Sequence, residues 1–178
     1  MKNIILIFLF LGTVTCLAQT RKEVKKLPKA NIPINSETGL ICFTKIQKTE
    51  LPDSILYKRA MFWYTNDIKS MRVQNEECVP GKKIVGKGEL NLMGLSDGKS
   101  QPKKARLKYT CITTIKDSVY TLEFTRFNID NVIYQPLEPW LSKQDEDEEY
   151  KYYFIYLEEQ ILGYFDKYDE IVNVKMAK

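Results

Sequence analysis

The sequence predicts one α+β domain in the element order β-α-β-β-β-β-α, a five-stranded antiparallel sheet with two helices on one face. Three observations predict it. Apolar and polar residues alternate with period two through residues 83–93, 106–115 and 119–125, the pattern of a sheet with one buried and one solvated face. Two further stretches, one before these strands and one after, space their apolar residues three and four apart, as amphipathic helices do. The chain has 178 residues, 44% hydrophobic and 28% charged, and these values fit a single globular domain.

The first strand is expected over residues 39–47, GLICFTKIQ, which is rich in β-formers. The segment ELPDS then closes the strand and opens a helix over residues 54–70, with Asp53 or Ser54 capping its first turn. Leu56, Ala60, Trp63, Asp67 or Ile68, and Met71 form its stripe. A weaker strand over 72–79 ends at the turn Pro80-Gly81-Lys82, where Pro fixes φ and Gly accepts positive φ. In the strand over 83–93, Ile84, Gly86, Gly88, Leu90 and Leu92 share one face and Val85, Lys87, Glu89 and Asn91 the other. The two glycines lie on the apolar face, where they leave room for a helix to approach closely. They do not read as a phosphate cradle, because no third glycine and no helix follow.

A polar loop over 94–104 leads to the strand with Leu107, Tyr109, Cys111, Thr113 and Ile115 inward and Arg106, Lys108, Thr110, Ile112 and Thr114 outward. Lys116-Asp117-Ser118 connects it tightly to the strand with Tyr120, Leu122 and Phe124 inward, the clearest hairpin in the chain. Pro136 and Pro139 end the sheet region, and a helix follows over about 142–168, capped by Ser142. Its stripe is Tyr150, Phe154, Leu157, Ile161, Tyr164 or Phe165, and Tyr168. The acidic run DEDEE falls in its first turns, where the helix dipole favours negative charge. The run lacks the glycine turn and ligand spacing of a calcium loop.

The N-terminus reads as an export signal over residues 1–18. Lys2 supplies the positive start, Ile4 to Leu11 an unbroken apolar run too short to span a bilayer, and Ala18 a small residue for cleavage before Gln19. Cys16 offers a rival, a lipid-anchored cysteine. It is disfavoured, because Thr13 and Thr15 stand where a lipoprotein signal has Leu and a small residue. Residues 19–38 read as a basic, Pro-containing leader, residues 39–170 as the domain and 171–178 as a tail. No later segment of the sequence is a candidate membrane span.

Composition removes several function classes. The chain has no histidine, so Ser-His-Asp and Cys-His catalysis and His metal ligation are excluded. The remaining cysteines after cleavage, Cys42, Cys78 and Cys111, form no Cys-x-x-Cys pair, which argues against zinc. They read as small buried side chains, with one disulfide as the alternative. Removing residues 1–18 leaves 26 basic against 23 acidic side chains, a balance too mild for nucleic acid. No cofactor motif is visible.

Leu56-Tyr57 with Ala60 and Trp63, then Ile84-Val85-Gly86-Lys87-Gly88, then Ile115-Lys116-Asp117 with Tyr120, resemble the helix-one, Gly-Lys-Gly and Lys-Asp-Gly patterns of the bacterial domain of unknown function 4468 family. The resemblance covers about residues 39–130. Ser118 stands where that family usually has Gly. It implies a TATA-binding-protein-like fold, export in Bacteroidetes-type bacteria and no established activity, so it carries over no functional residues.

The resulting expectation is an exported protein of the periplasm or cell envelope, a non-catalytic module that binds an envelope protein, peptide or glycan. The candidate interaction face is the open side of the sheet, with Lys87, Arg106, Lys108, Thr110 and Glu123, or else the aromatic residues of the second helix. The alternative is a carboxylate enzyme acting on envelope glycans, with Glu89 and Glu123 as its pair.

Overall fold

The computed structural model describes residues 28–94, 104–130 and 134–173. The expectations for the signal over 1–18, Cys16, the basic residues Arg21 to Lys26, the loop tip over 95–103 and the last five residues lie outside the described residues.

The elements are β1 (Cys42–Lys48), α1 (Asp53–Asn66), β2 (Arg72–Val73), β3 (Lys83–Met93), β4 (Lys104–Lys116), β5 (Val119–Ile129), β6 (Gln135–Pro136) and α2 (Glu148–Asn173), with short 3₁₀ turns at Asn75–Glu77, Glu138–Trp140 and Ser142–Asp145. The fold is α+β as predicted, and its sheet is antiparallel throughout, in the order β1-β5-β4-β3-β2. A sixth, two-residue strand, β6, adds to the end of β5.

The predicted alternation sets the buried face. Ile84, Leu90 and Leu92 of β3, Leu107, Tyr109, Cys111, Thr113 and Ile115 of β4, and Tyr120, Leu122 and Phe124 of β5 are all buried. Both helices lie over them. Leu56, Ala60, Trp63 and Tyr64 are the buried stripe of α1, and Phe154, Leu157, Ile161, Phe165, Tyr168 and Val172 belong to that of α2. The Trp63 ring joins the layers, with its edge-to-face neighbours Tyr168 of α2 at 4.9 Å and Phe124 of β5 at 6.4 Å. Tyr64 reaches the sheet through its hydroxyl, 3.1 Å from both Cys111 Sγ and Thr113 Oγ1. Cys111 is fully buried as a packing group, and burial pushes its thiol well up.

One charge also turns inward. Lys45 of β1 pairs with Asp169 of α2, and the Tyr120 hydroxyl donates to Asp169 and lies 3.0 Å from Gln47 Oε1. Arg59 of α1 donates to the Val172 carbonyl at 2.6 Å, satisfying one of the free acceptors at the end of α2.

Several element bounds differ from the sequence expectation, each for a local reason. The leader does not run free to residue 38. Asn35 N–H donates to the Leu40 carbonyl and Cys42 N–H to the Pro33 carbonyl, so residues 33–42 form a small hairpin that turns at Gly39, and Ala30 is buried. β1 therefore starts at Cys42 and not at 39. The strand expected over 72–79 is only Arg72–Val73, because the chain coils into the 3₁₀ turn at Asn75–Glu77. Helix α1 ends at Asn66 and not at 70. Asp53 does not cap it but accepts the Ser118 N–H at 2.7 Å, pinning the β4–β5 turn to the helix start.

In that turn Asp117 and Ser118 both have positive φ, 54° and 60°, the two-residue geometry whose twist matches the strands it joins. Helix α2 runs over 148–173 and not 142–168, because Ser142 lies in a 3₁₀ turn. Its first turn is held by Asp147, whose carboxylate accepts the Glu149 N–H at 2.8 Å. Cys42, Cys78 and Cys111 are free thiols.

Candidate functional site

The uncovered face of the sheet is not flat. It holds a cavity of about 630 Å³ that opens across β3, β4 and the distal half of β5. The register explains its position. Lys87 of β3 lies opposite Thr110 of β4, which lies opposite Thr125 of β5, and Glu89 lies opposite Lys108, which lies opposite Asn128. These cross-strand rows bring side chains that are distant in sequence to one side of the sheet.

Between the two rows β5 is irregular. Thr110 pairs with Thr125 and Lys108 with Asn128, so β5 advances three residues where β4 advances two. The extra residue is accommodated at Arg126, which has φ of +54°. This is a β-bulge, and it reverses the parity of β5: Leu122 and Phe124 are buried before it, Phe127 and Ile129 after it. Beyond the bulge β5 pairs with β6 in place of β1. The bulge also directs Arg126 to the cavity, which it lines together with Lys69, Arg72, Lys87 and Lys108.

Of the five residues singled out from sequence, Lys87, Lys108 and Thr110 line this cavity and Arg106 and Glu123 do not. Thr110 departs from expectation in another way. It is on the open face but only 6% exposed, because it forms the cavity floor among longer side chains. Val85 is also buried on that side, where the Asn75–Glu77 turn packs against β3.

Sequence reasoning missed Lys69, Arg72 and Arg126. Lys69 follows α1 in a connecting turn, Arg72 falls in the segment whose sequence suggests a longer strand, and Arg126 lies past the point where the alternation breaks. That break, from Phe124 to Phe127, was the available signal.

Ion pairs quiet part of the surface. Lys87 Nζ is 3.3 Å from Glu77, Lys108 Nζ 2.6 Å from Asp130, and Arg106 3.1 Å from Asp130 and 3.9 Å from Glu89. The hydrogen bond from Lys108, seconded by Arg106, holds the Asp130 carboxyl below the usual carboxylate range. A depressed native pKa gives stability that is present above the ordinary carboxylate pKa and is lost as pH falls through the lower native value. Carbon-detected NMR titration should show the Asp130 midpoint below that of an unpaired aspartate, and Lys108→Ala should move it upward. An unchanged midpoint in that variant would show that Lys108 does not hold the carboxylate.

The proposed carboxylate pair is not assembled. Glu89 lies opposite Lys108 and Glu123 opposite Ile112. Four residues along one strand separate the two rows by roughly 13 Å, beyond the ~5–10 Å over which two carboxylates act on one glycosidic bond. Among the described residues no group of three or more His, Cys, Asp and Glu is arranged to hold a metal ion. The acidic run at the start of α2 is structural: besides the Asp147 contact, Asp145 pairs with Lys29 at 2.8 Å and Glu149 accepts from the Tyr153 hydroxyl at 2.9 Å. No described helix is long and apolar enough to cross a membrane.

Residues 43–130 match the model of a domain of unknown function (DUF4468) with TBP-like fold. A solved DUF4468 family protein from Bacteroides ovatus is similar over 83% of this chain and 93% of its own, with a TM-score of 0.62 and 14% identity. A TBP-like protein from Parabacteroides distasonis is similar over 79% of this chain and 98% of its own, with a TM-score of 0.52 and 16% identity. At these identities the likeness is one of fold. No curated protein matches the chain.

Proposed function

Starting from residues 43–130 as a DUF4468 domain with a TBP-like fold, we propose that this chain is an exported, non-catalytic binding module of the cell envelope that holds its ligand on the open sheet face. The observation that carries the reading is the cavity. It gathers Lys87, Lys108 and Thr110 from adjacent strands onto a surface that neither helix covers. Its side chains are hydrogen-bonding and cationic groups suited to holding a ligand, and Glu89 and Glu123 stand in separate cross-strand rows.

Export rests on the pattern of residues 1–18, and the intact mass of the secreted chain should correspond to a start at Gln19. A lipid-modified Cys16 would overturn that part. Binding is tested by titrating fractionated envelope extract into isotope-labelled protein and following amide shifts. Perturbations centred on Lys87, Lys108 and Thr110 are expected. Shifts confined to the exposed side of α2, or to the β1 edge, would place the working surface elsewhere and end this reading.

The nucleic-acid reading that the fold name invites gains nothing here. Acidic residues are interspersed along this face, with Glu89 beside Arg106 and Asp130 bridging Arg106 and Lys108. A minor-groove binder needs a continuous basic surface with apolar wedges.

A further inference from the structure

We infer that the cavity on the open sheet face binds an acidic saccharide, a small polyhydroxylated ligand bearing carboxylate or sulfate groups, with Arg126 and Arg72 as its principal anchors. The inference rests on the binding-module reading and adds the chemistry of the ligand.

The sign of the cavity comes first. Five cations line it, Lys69, Arg72, Lys87, Lys108 and Arg126, against one carboxylate, Glu89. Two of the five are already paired, Lys87 with Glu77 and Lys108 with Asp130. Among the described residues Lys69, Arg72 and Arg126 make no ion pair. Like charges facing one concavity repel each other, and low-dielectric walls concentrate their field there. An anion entering the cavity relieves that repulsion. Two guanidinium groups also favour carboxylate and tetrahedral oxyanions, two oxygens of which each can grip through parallel hydrogen bonds.

The backbone adds a second observation. Arg126 occupies the left-handed region at φ +54°, where a residue with a side chain is strained and glycine is at ease. A bulge of this kind commonly carries glycine. Here the position holds a long, unpaired cation that reaches a cavity. Such strain, retained where the side chain makes no ion pair among the described residues, points to a role outside the fold's own stability.

Size and neutral groups narrow the ligand. About 630 Å³ is within the range of small-molecule sites, roughly 300–1,000 Å³, and is a bounded hollow without the basic stripe that a nucleic-acid strand requires. Ser70, Gln74, Thr110 and Asn128 contribute hydroxyl and amide groups to the lining. Tyr134 at the rim is 66% exposed, an amphipathic ring on which a sugar face can lie. Cations alone would suit a simple anion. The neutral hydrogen-bonding groups beside them suit a ligand that also carries hydroxyls.

The test is calorimetric titration of the purified protein with four probes: a galacturonate trisaccharide, a heparin-derived disaccharide, neutral maltotriose and inorganic pyrophosphate. At least one acidic saccharide should bind saturably, and more weakly as salt rises. Maltotriose should not bind, and pyrophosphate should bind more weakly than the saccharide. Arg126→Ala should weaken saccharide binding by about tenfold or more. Arg126→Gly should weaken it equally while melting no lower than the parent, since glycine suits the bulge, so lost binding there cannot be blamed on lost folding.

No saturable binding of either acidic saccharide at about 1 mM, or full binding by both Arg126 variants, overturns the inference. Equal binding of pyrophosphate reduces the site to a simple anion hole and overturns it as well. Tight binding of maltotriose, with amide shifts at Lys87, Lys108 and Thr110, overturns the acidic ligand but leaves the binding face standing.

Discussion

Replacing Trp63 with alanine is expected to destabilise the protein by about 3–5 kcal/mol, as truncation of a fully buried large aromatic does. The indole is 0% exposed and sits where α1, α2 and β5 meet, against Tyr64, Tyr168 and Phe124. The two helices cannot collapse into the space independently. Tyr64 is tethered to Cys111 and Thr113 on the sheet, and the end of α2 is tied down by Lys45 and Arg59. A rigid surrounding leaves more of the cavity open and pushes the cost towards the upper end.

Among the described residues the indole N–H has no hydrogen-bond partner, so Trp63→Phe removes an unsatisfied donor along with the volume and should cost much less. Urea denaturation of both variants checks the pair. A Trp63→Ala midpoint close to that of the parent would mean that the layers do not meet at this ring.

What the sequence made legible follows from which interactions are periodic. The inward faces of β3, β4 and β5 were readable because burial on one side imposes a period of two on the residues themselves, from Ile84 to Leu92 and from Leu107 to Ile115. The α2 stripe was readable for the same reason at helical spacing. Helix ends were less so, because the capping roles depended on tertiary partners. Asp53 looked like a cap and instead holds the Ser118 N–H of a turn 65 residues away. Ser142 looked like a cap and lies in a 3₁₀ turn, leaving the role to Asp147.

The candidate site was half legible. Lys87, Lys108 and Thr110 followed from alternation, but alternation says only which side a residue faces and not whether that side is hollow. Arg126 was hidden by the one-residue slip in β5, Lys69 by the early end of α1, and Arg72 by the short edge strand. Each is an irregularity, and each supplies a cation to the cavity. Regular pattern thus located the face, while departures from pattern shaped the site on it.

Gly88→Ala is expected to destabilise the protein by about 1–3 kcal/mol, and Gly88→Val by more, although local propensity argues the opposite. In a strand interior, glycine is entropically costly and valine is favoured by up to ~1 kcal/mol. Sequence reasoning put Gly86 and Gly88 on the inward face as room for a helix. That holds for Gly86, whose added Cβ would lie 2.8 Å from the Tyr64 ring of α1. At Gly88 the occupant is Tyr109, its cross-strand partner on β4, with ring atoms 2.5 Å from the position of a Cβ.

The Tyr109 ring cannot yield cheaply. It is 2% exposed and packed against Phe124, Phe127 and Tyr164 at centroid distances of 5.5, 6.1 and 6.3 Å. Among the described residues its hydroxyl has no hydrogen-bond partner, although the hydroxyls of Tyr164 and Ser70 lie near enough to perturb it, and burial drives its pKa far above the ordinary phenol value. Since Tyr109 Oη is itself among the atoms a Gly88 side chain would meet, Tyr109→Phe should be nearly neutral alone and should recover part of the Gly88→Ala loss. Denaturation midpoints of the two single variants and the double variant measure that coupling. A Gly88→Ala protein as stable as the parent, or effects that simply add, would show that the ring does not lie over the glycine.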